Sequence, residues 1–259
     1  MKVATILNAH DYLDLVLDTL DSITTYVGDD ILAVVNGKAK DFKLPVYKLE
    51  GYSQGTARAP YRNVALSLMY ASDLYPDADW YCYMEWDALF CSNGFKKTLE
   101  QAEQQNIWMM GTNGRIDYAE MPLIEELLGE QFRSVYYMLG ACLFFHKNYM
   151  KKLKEIDFFN KFLILCNGFT ENVPKYQGYD ISEHMYPTIA RHYGGNIGVF
   201  STYENGTWHG DYKSFPVRWK PDIEEVDYEK VNFVHPLKTM CDVRKNLAIK
   251  RKELKNAKS

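Results

Sequence analysis

A chain of 259 residues, 47% hydrophobic and 25% charged, can bury a sizeable core and is too apolar for wholesale disorder. Its net charge of -4 gives no support for general nucleic-acid binding, where a basic face is expected, so no nucleic-acid partner is predicted. The cysteines at 82, 91, 142, 166 and 241 are odd in number and form no CxxC pair, as expected of reduced thiols in a cytoplasmic protein.

Lys2 to Asn8 reads as a strand. Next, Leu13, Val16, Leu17, Leu20 and Ile23 recur at steps of three and four while Asp14, Asp18 and Asp21 take the other side, the pattern of an amphipathic helix. "ILAVVNG" is a second strand closing in a turn, and after a loop rich in Gly, Pro and Gln, "PYRNVALSLMYASDL" is a helix opened by Pro60. A strand ending in Glu85-Trp86-Asp87, a helix from Gly94 to Gln105 and a strand "IWMMGT" follow. The second half adds a strand "VYYMLGACLFFH", a short helix "YMKKLKEI", a helix "SEHMYPTIARHYGG" broken by Pro187, and a strand "NIGVFS". The sequon Asn205-Gly206-Thr207 reads as a turn.

Strand and helix alternate with no linker or repeat, which predicts one α/β domain over residues 1 to 237 with helices on both faces of a parallel-type sheet. Residues 238 to 259 carry eight Lys and Arg against two acids, a basic helix or tail suited to an anionic membrane face, an acidic partner or plain solvation. The N-terminus lacks the apolar run of a signal peptide, and no segment approaches the ~20 apolar residues of a membrane span.

The stretch "DWYCYMEWDALF", residues 79 to 90, sets two carboxylates at i and i+2 on the end of a buried strand, where period-2 alternation aims both at one side. In open α/β sheets the ligand crevice lies beyond the carboxyl ends of the strands. Like charges there repel unless one takes a proton or both share a cation. Mg²⁺ or Mn²⁺ commonly pairs one or two carboxylates with substrate phosphates, so a metal-bound phosphate site accounts for the pair. A turn carrying two solvated acids is the other reading.

The order of motifs resembles nucleotide-diphospho-sugar glycosyltransferases of the GT-A type, whose hallmark is D-x-D, or a variant E-x-D, after a central strand. "ILNAHDY" is similar to the family's first strand and nucleotide loop, "LAVVNGK" to its second strand, "ARAPYRNVAL" to an Arg-Asn helix start, and "YMLGACLFFHK" to the strand beside the acceptor. "GYDISEHMYPTIARHYG" is similar to the acidic helix holding the base of inverting members, and "FVHPLK" to a C-terminal metal-binding His. Glu85 stands where the first Asp is usual, and Asp180 and Glu183 replace an adjacent Glu-Asp pair.

The resemblance implies a GT-A (Rossmann-like) mixed, mostly parallel sheet flanked by helices. It implies transfer of a sugar from a nucleotide-diphospho-sugar to a hydroxyl of a saccharide or lipid-linked acceptor, with inversion. By role, Asp87 holds Mn²⁺ or Mg²⁺, Glu85 assists through the ion, a water or the ribose, His235 is a further metal ligand, and Lys238 neutralises phosphate. Asp180, then Glu183, is the candidate base. Asn8 and Asn36 bond base or ribose, Arg62 pairs with phosphate or an acid beside Asn63, and Trp86, Trp208 and Tyr52 offer stacking surfaces. His209 and Lys213 are rivals for the diphosphate. A carbohydrate-binding protein of the same fold is an alternative function. So is a sugar-phosphate nucleotidyltransferase, although "TILNAHDYLD" lacks its Gly-rich phosphate loop.

Overall fold

The computed structural model of the chain describes residues 1–52, 59–117, 121–132, 134–167, 182–204, 207–211, 213–217 and 230–257. In the first half, β1 (Val3–Ala9), α1 (Leu13–Tyr26), β2 (Ile31–Val35), β3 (Tyr47–Glu50), α2 (Ala59–Leu74), β4 (Trp80–Glu85), β5 (Leu89–Phe90) and α3 (Phe95–Gln104) alternate much as the hydrophobic periods require. The second half runs β6 (Ile107–Asp117), α4 (Pro122–Leu128), β7 (Val135–His146), α5 (Lys147–Glu155), α6 (Phe158–Asn167), α7 (Ser182–His192) and β8 (Asn196–Val199). It closes with the hairpin β9 (Ser201–Glu204) and β10 (Thr207–Gly210), then β11 (Phe233–Val234) and α8 (Asp242–Asn256).

Seven strands form one sheet in the order β3-β2-β1-β4-β7-β6-β8. Strand β7 is antiparallel to both neighbours and the other pairs are parallel, so the sheet is mixed and mostly parallel, as expected. Side chains alternate across it. On β1, Ala4 and Ile6 join a core with α2, α5, α6 and α7, while Val3, Leu7 and Ala9 join a second core with α1 and α3. Burial on both faces is why β2 and β4 read as continuous apolar runs.

Two expectations change. Helix α7 is not broken at Pro187, which lies inside it; in this second turn the missing N–H costs one backbone bond, to the Glu183 carbonyl. "NIGVFS" is two elements, because β8 pairs with β6 whereas Ser201 already belongs to the β9–β10 hairpin. The sequon's Asn205 and Gly206 lie outside the described residues, between those two strands. Among the described residues no helix is long and apolar enough to cross a membrane.

The chain moves outward from β1 to β2 to β3, then returns to place β4 on the other side of β1. Connections leaving the carboxyl ends of β1 and β4 therefore diverge, which opens a crevice there.

Candidate active site

Parallel register sets Asn8 of β1 directly beside Glu85 of β4. Asn8 Nδ2 donates to Glu85 Oε2 (2.9 Å), and Asn36, just past β2, donates from Nδ2 to Asn8 Oδ1 (3.0 Å). Tyr83 lies two residues before Glu85 on the same strand face, and its hydroxyl donates to Glu85 Oε1 (3.2 Å). A polar relay thus crosses the ends of three adjacent parallel strands. Asn36 is 2% exposed and its Oδ1 has no hydrogen-bond partner among the described residues, leaving a buried acceptor at the end of the relay. Burial first, then the charge of Asp87, pushes the Glu85 carboxyl up to about 7, against the opposing effects of Asn8, His235 and Tyr83.

The strand stops at Glu85, so the period-2 expectation for the two acids fails. A turn closed by the Ala88 N–H on the Glu85 carbonyl (3.0 Å) redirects Asp87. Strand β5 follows at once and pairs with β11, Phe90 opposite Phe233 and Leu89 opposite Val234, which carries His235 back to the turn. Asp87 Oδ1 lies 3.3 Å from His235 Nε2, Lys238 Nζ lies 4.0 Å from Asp87 Oδ2, and the Leu237 N–H donates to the Asp87 carbonyl (2.7 Å). Asp87 is only 5% exposed, whereas Lys238 is open to solvent.

Three residues were expected to share an ion, and two of them touch. Asp87 and His235 face each other, while Glu85 gives its oxygens to Asn8 and Tyr83. Among the described residues no three His, Cys, Asp or Glu side chains come together as a ready-made metal cage. A hard divalent ion that keeps waters and takes phosphate oxygens needs only one or two protein ligands, and a carboxylate beside an imidazole fits it.

Glu183, at the start of α7, reaches the backbone of β7 two residues from where Cys142 pairs with Met84 of β4, and accepts from the Gly140 N–H (2.9 Å). A side chain at Gly140 would put its Cβ 3.1 Å from Glu183 Cγ, so the absence of one admits the carboxylate. Burial raises the Glu183 carboxyl above the ordinary value, with the Gly140 N–H and Arg115 pulling it back. Asp180 lies outside the described residues.

Arg62 and Asn63 lie at Tyr52, just past β3. Both ends of the Asn63 amide are spent on the Tyr52 backbone, accepting from its N–H (2.6 Å) and donating to its carbonyl (3.1 Å). Arg62 is buried with its guanidinium 3.4 Å from the Tyr52 ring centre. Lys213 is exposed in a turn; the side chains of Trp208 and His209 lie outside the described residues. Trp86 is at the mouth, its ring 5.4 Å from that of Tyr12, a residue held in the left-handed conformation before α1. Sequence reading missed Tyr12, Tyr83 and Thr19. Of these Tyr83 was accessible from strand alternation alone, and Thr19, whose hydroxyl donates to the carbonyls of Trp86 (2.8 Å) and Ala88 (3.3 Å), carried no signal.

No protein-family model matches the chain, and no curated protein matches it. Among solved structures it is similar to a glycosyltransferase involved in the glycosylation of the major capsid of PBCV-1, with 14% identity, a TM-score of 0.49, and 98% of this chain and 100% of that one covered. It is also similar to the mannosyltransferase PcManGT from Pyrobaculum calidifontis, in complex with GDP-Man and Mn2+. There the identity is 14%, the TM-score 0.42 and the coverage of this chain 80%; the chain spans 56% of that protein's length.

Proposed function

We propose that the protein is a metal-dependent glycosyltransferase of the GT-A type, moving a sugar from a nucleotide-diphospho-sugar to a hydroxyl of a saccharide or lipid-linked acceptor with inversion. The observation that carries this reading is the convergence, at the topological switch of the sheet, of the Asp87–His235 pair with the Asn8–Asn36–Glu85 relay. Asp87 and His235 hold Mn²⁺ or Mg²⁺, and Lys238 adds a compact positive charge for a phosphate. When bound, the ion offsets the negative charge that gathers on the departing diphosphate. Asn36 Oδ1 is an acceptor for a nucleobase N–H or ribose hydroxyl, and the tilted Tyr12–Trp86 pair offers ring faces for stacking.

Glu183 takes the proton of the acceptor hydroxyl as that oxygen bonds to the anomeric carbon and the carbon–phosphate oxygen bond breaks. Its raised pKa makes it a stronger base once ionised, and its bond to Gly140 fixes its direction. Asp180 is the second candidate for this role. Peripheral contact with an anionic membrane face through α8 remains part of the proposal, carried by exposed Lys245 and Lys252. Incubation with UDP- and GDP-sugars plus Mn²⁺ tests the reading: nucleoside diphosphate release from one donor, absent in Asp87→Ala, is the expected result. Donor binding without turnover points to a non-catalytic binding protein of the same fold.

A further inference from the structure

Helix α8 lies against α1 through ion pairs, and those to Asp18 are almost dry. Arg244 and Arg251 are 0% and 1% exposed, and both guanidiniums meet the carboxylate of Asp18, which is itself 8% exposed. Arg251 also reaches Asp21 (2.6 Å), as does Lys255. Arg244 does more than hold the helix. Its Nη1 faces Asp18 Oδ2 (2.6 Å), Thr19 Oγ1 (3.3 Å) and the Leu15 carbonyl (3.5 Å), its Nη2 donates to the Trp86 carbonyl (3.3 Å), and its Nε donates to the Leu237 carbonyl (3.0 Å).

Those last two bonds close a circuit. Trp86 precedes Asp87, and the Leu237 N–H bonds the Asp87 carbonyl (2.7 Å). Leu237 in turn lies between His235 and Lys238. One planar guanidinium therefore fixes both peptide segments that bring Asp87, His235 and Lys238 together, without touching any of the three side chains. A lysine cannot reproduce this, because its single ammonium lacks the rigid fork that serves separate acceptors at set angles. Thr19 Oγ1 grips the same Trp86 carbonyl from α1 (2.8 Å).

We propose that Arg244 is a positioning residue for the cation and diphosphate site, the means by which α8 sets the Asp87 turn against the His235–Lys238 segment. The functional half rests on the reading of that site given above; the structural half does not.

The test uses the full chain with Arg244→Lys, Thr19→Val and, as the control that loosens α8 without touching the turn, Arg251→Lys. Two quantities are read: NMR amide exchange at Leu237 relative to the amides of β4, and the affinity for Mn²⁺ in the presence of UDP by calorimetry. In Arg244→Lys, Leu237 should exchange at least about tenfold faster than in the parent, and Mn²⁺ affinity should fall by about 10–100-fold, the range typical when a support behind metal ligands is lost. Arg251→Lys should lower the melting temperature and leave both quantities unchanged. Unaltered Leu237 exchange and Mn²⁺ affinity in folded Arg244→Lys, or equal changes in Arg251→Lys, overturn the proposal. If Arg244→Lys does not fold, Thr19→Val decides by the same two measurements, a change in either supporting the proposal and no change in both overturning it. A parent protein that takes up neither Mn²⁺ nor UDP removes the reading of the site, and Leu237 exchange alone then decides on Arg244.

Discussion

Asp87 and His235 meet at 3.3 Å although one follows β4 and the other follows β11. The short β5–β11 pairing is what joins them, and the side chains are 7% and 9% exposed. Such a carboxylate–imidazole pair binds a divalent ion only if the imidazole is neutral. His235→Ala should therefore weaken Mn²⁺ binding by at least about tenfold while UDP binding measured without metal stays the same, as judged by calorimetry in each condition. Equal losses with and without metal would place His235 on the nucleotide instead.

Glu85 gives the chain a pH signature. In the unfolded chain it titrates near 4.5, and in the folded one at about 7. The folded state therefore keeps this proton in a window where the unfolded state has lost it. The associated stability is complete below pH 4.5 and is lost as pH rises through 7, a decline of about 3 kcal/mol at ~1.36 kcal/mol per pH unit. Urea unfolding of the metal-free protein across that window should show the decline, and Glu85→Gln should reduce its slope. An unchanged slope in Glu85→Gln assigns it to other groups, Glu183 first, since its shift has the same sign.

For Glu183 the expected change is in chemistry alone. Glu183→Gln keeps an oxygen for the Gly140 N–H, so fold and donor affinity should persist while kcat falls by about 10²–10⁴-fold. Steady-state kinetics beside donor calorimetry separates the two. A full rate in the variant leaves the proton to another group, with Asp180 next in line.

The clamp between α1 and α8 contrasts with the surface pairs. Asp18→Ala leaves the Arg244 guanidinium buried without its carboxylate and Arg251 with Asp21 alone, and should cost about 3–5 kcal/mol, nearly independent of salt. Asp73→Ala breaks a pair with Lys154 whose side chains are 71% and 41% exposed, and should cost under about 1 kcal/mol. Chemical unfolding at low and high salt measures both. A small effect at Asp18 would mean that α8 is attached mainly by its apolar contacts, such as Leu247 with Leu89, Val234 and Leu237.

Much of the sheet was legible because burial on both faces left unbroken apolar runs, and β7 was read to its exact bounds for that reason. Asn8, Asn36 and Glu85 were named from their places at or near the ends of parallel strands, which topology alone marks as a ligand crevice, and the structure brings the three side chains together. Asp87 and His235 were named from motif order, but their contact depends on β5 and β11, two-residue strands too short to carry a period. Asn63 shows what sequence leaves out: named as a ligand contact from its place at a helix start, it gives both ends of its amide to the Tyr52 backbone, a pairing that no pattern announces. Asp18 and Asp21 looked like a solvent face of α1, and the basic terminal stretch like a surface tail. Each hid the other, since opposite charges on segments far apart in sequence announce no contact until the chain is folded.

The most direct measurement is electron paramagnetic resonance of Mn²⁺ bound in the presence of UDP or GDP. Expected are couplings to phosphorus from the diphosphate and to a nitrogen from His235, the nitrogen coupling disappearing in His235→Ala and the bound spectrum disappearing in Asp87→Asn. A bound spectrum that survives Asp87→Asn unaltered, or no bound Mn²⁺ with either nucleotide, would contradict a cation and diphosphate site at the ends of β1 and β4.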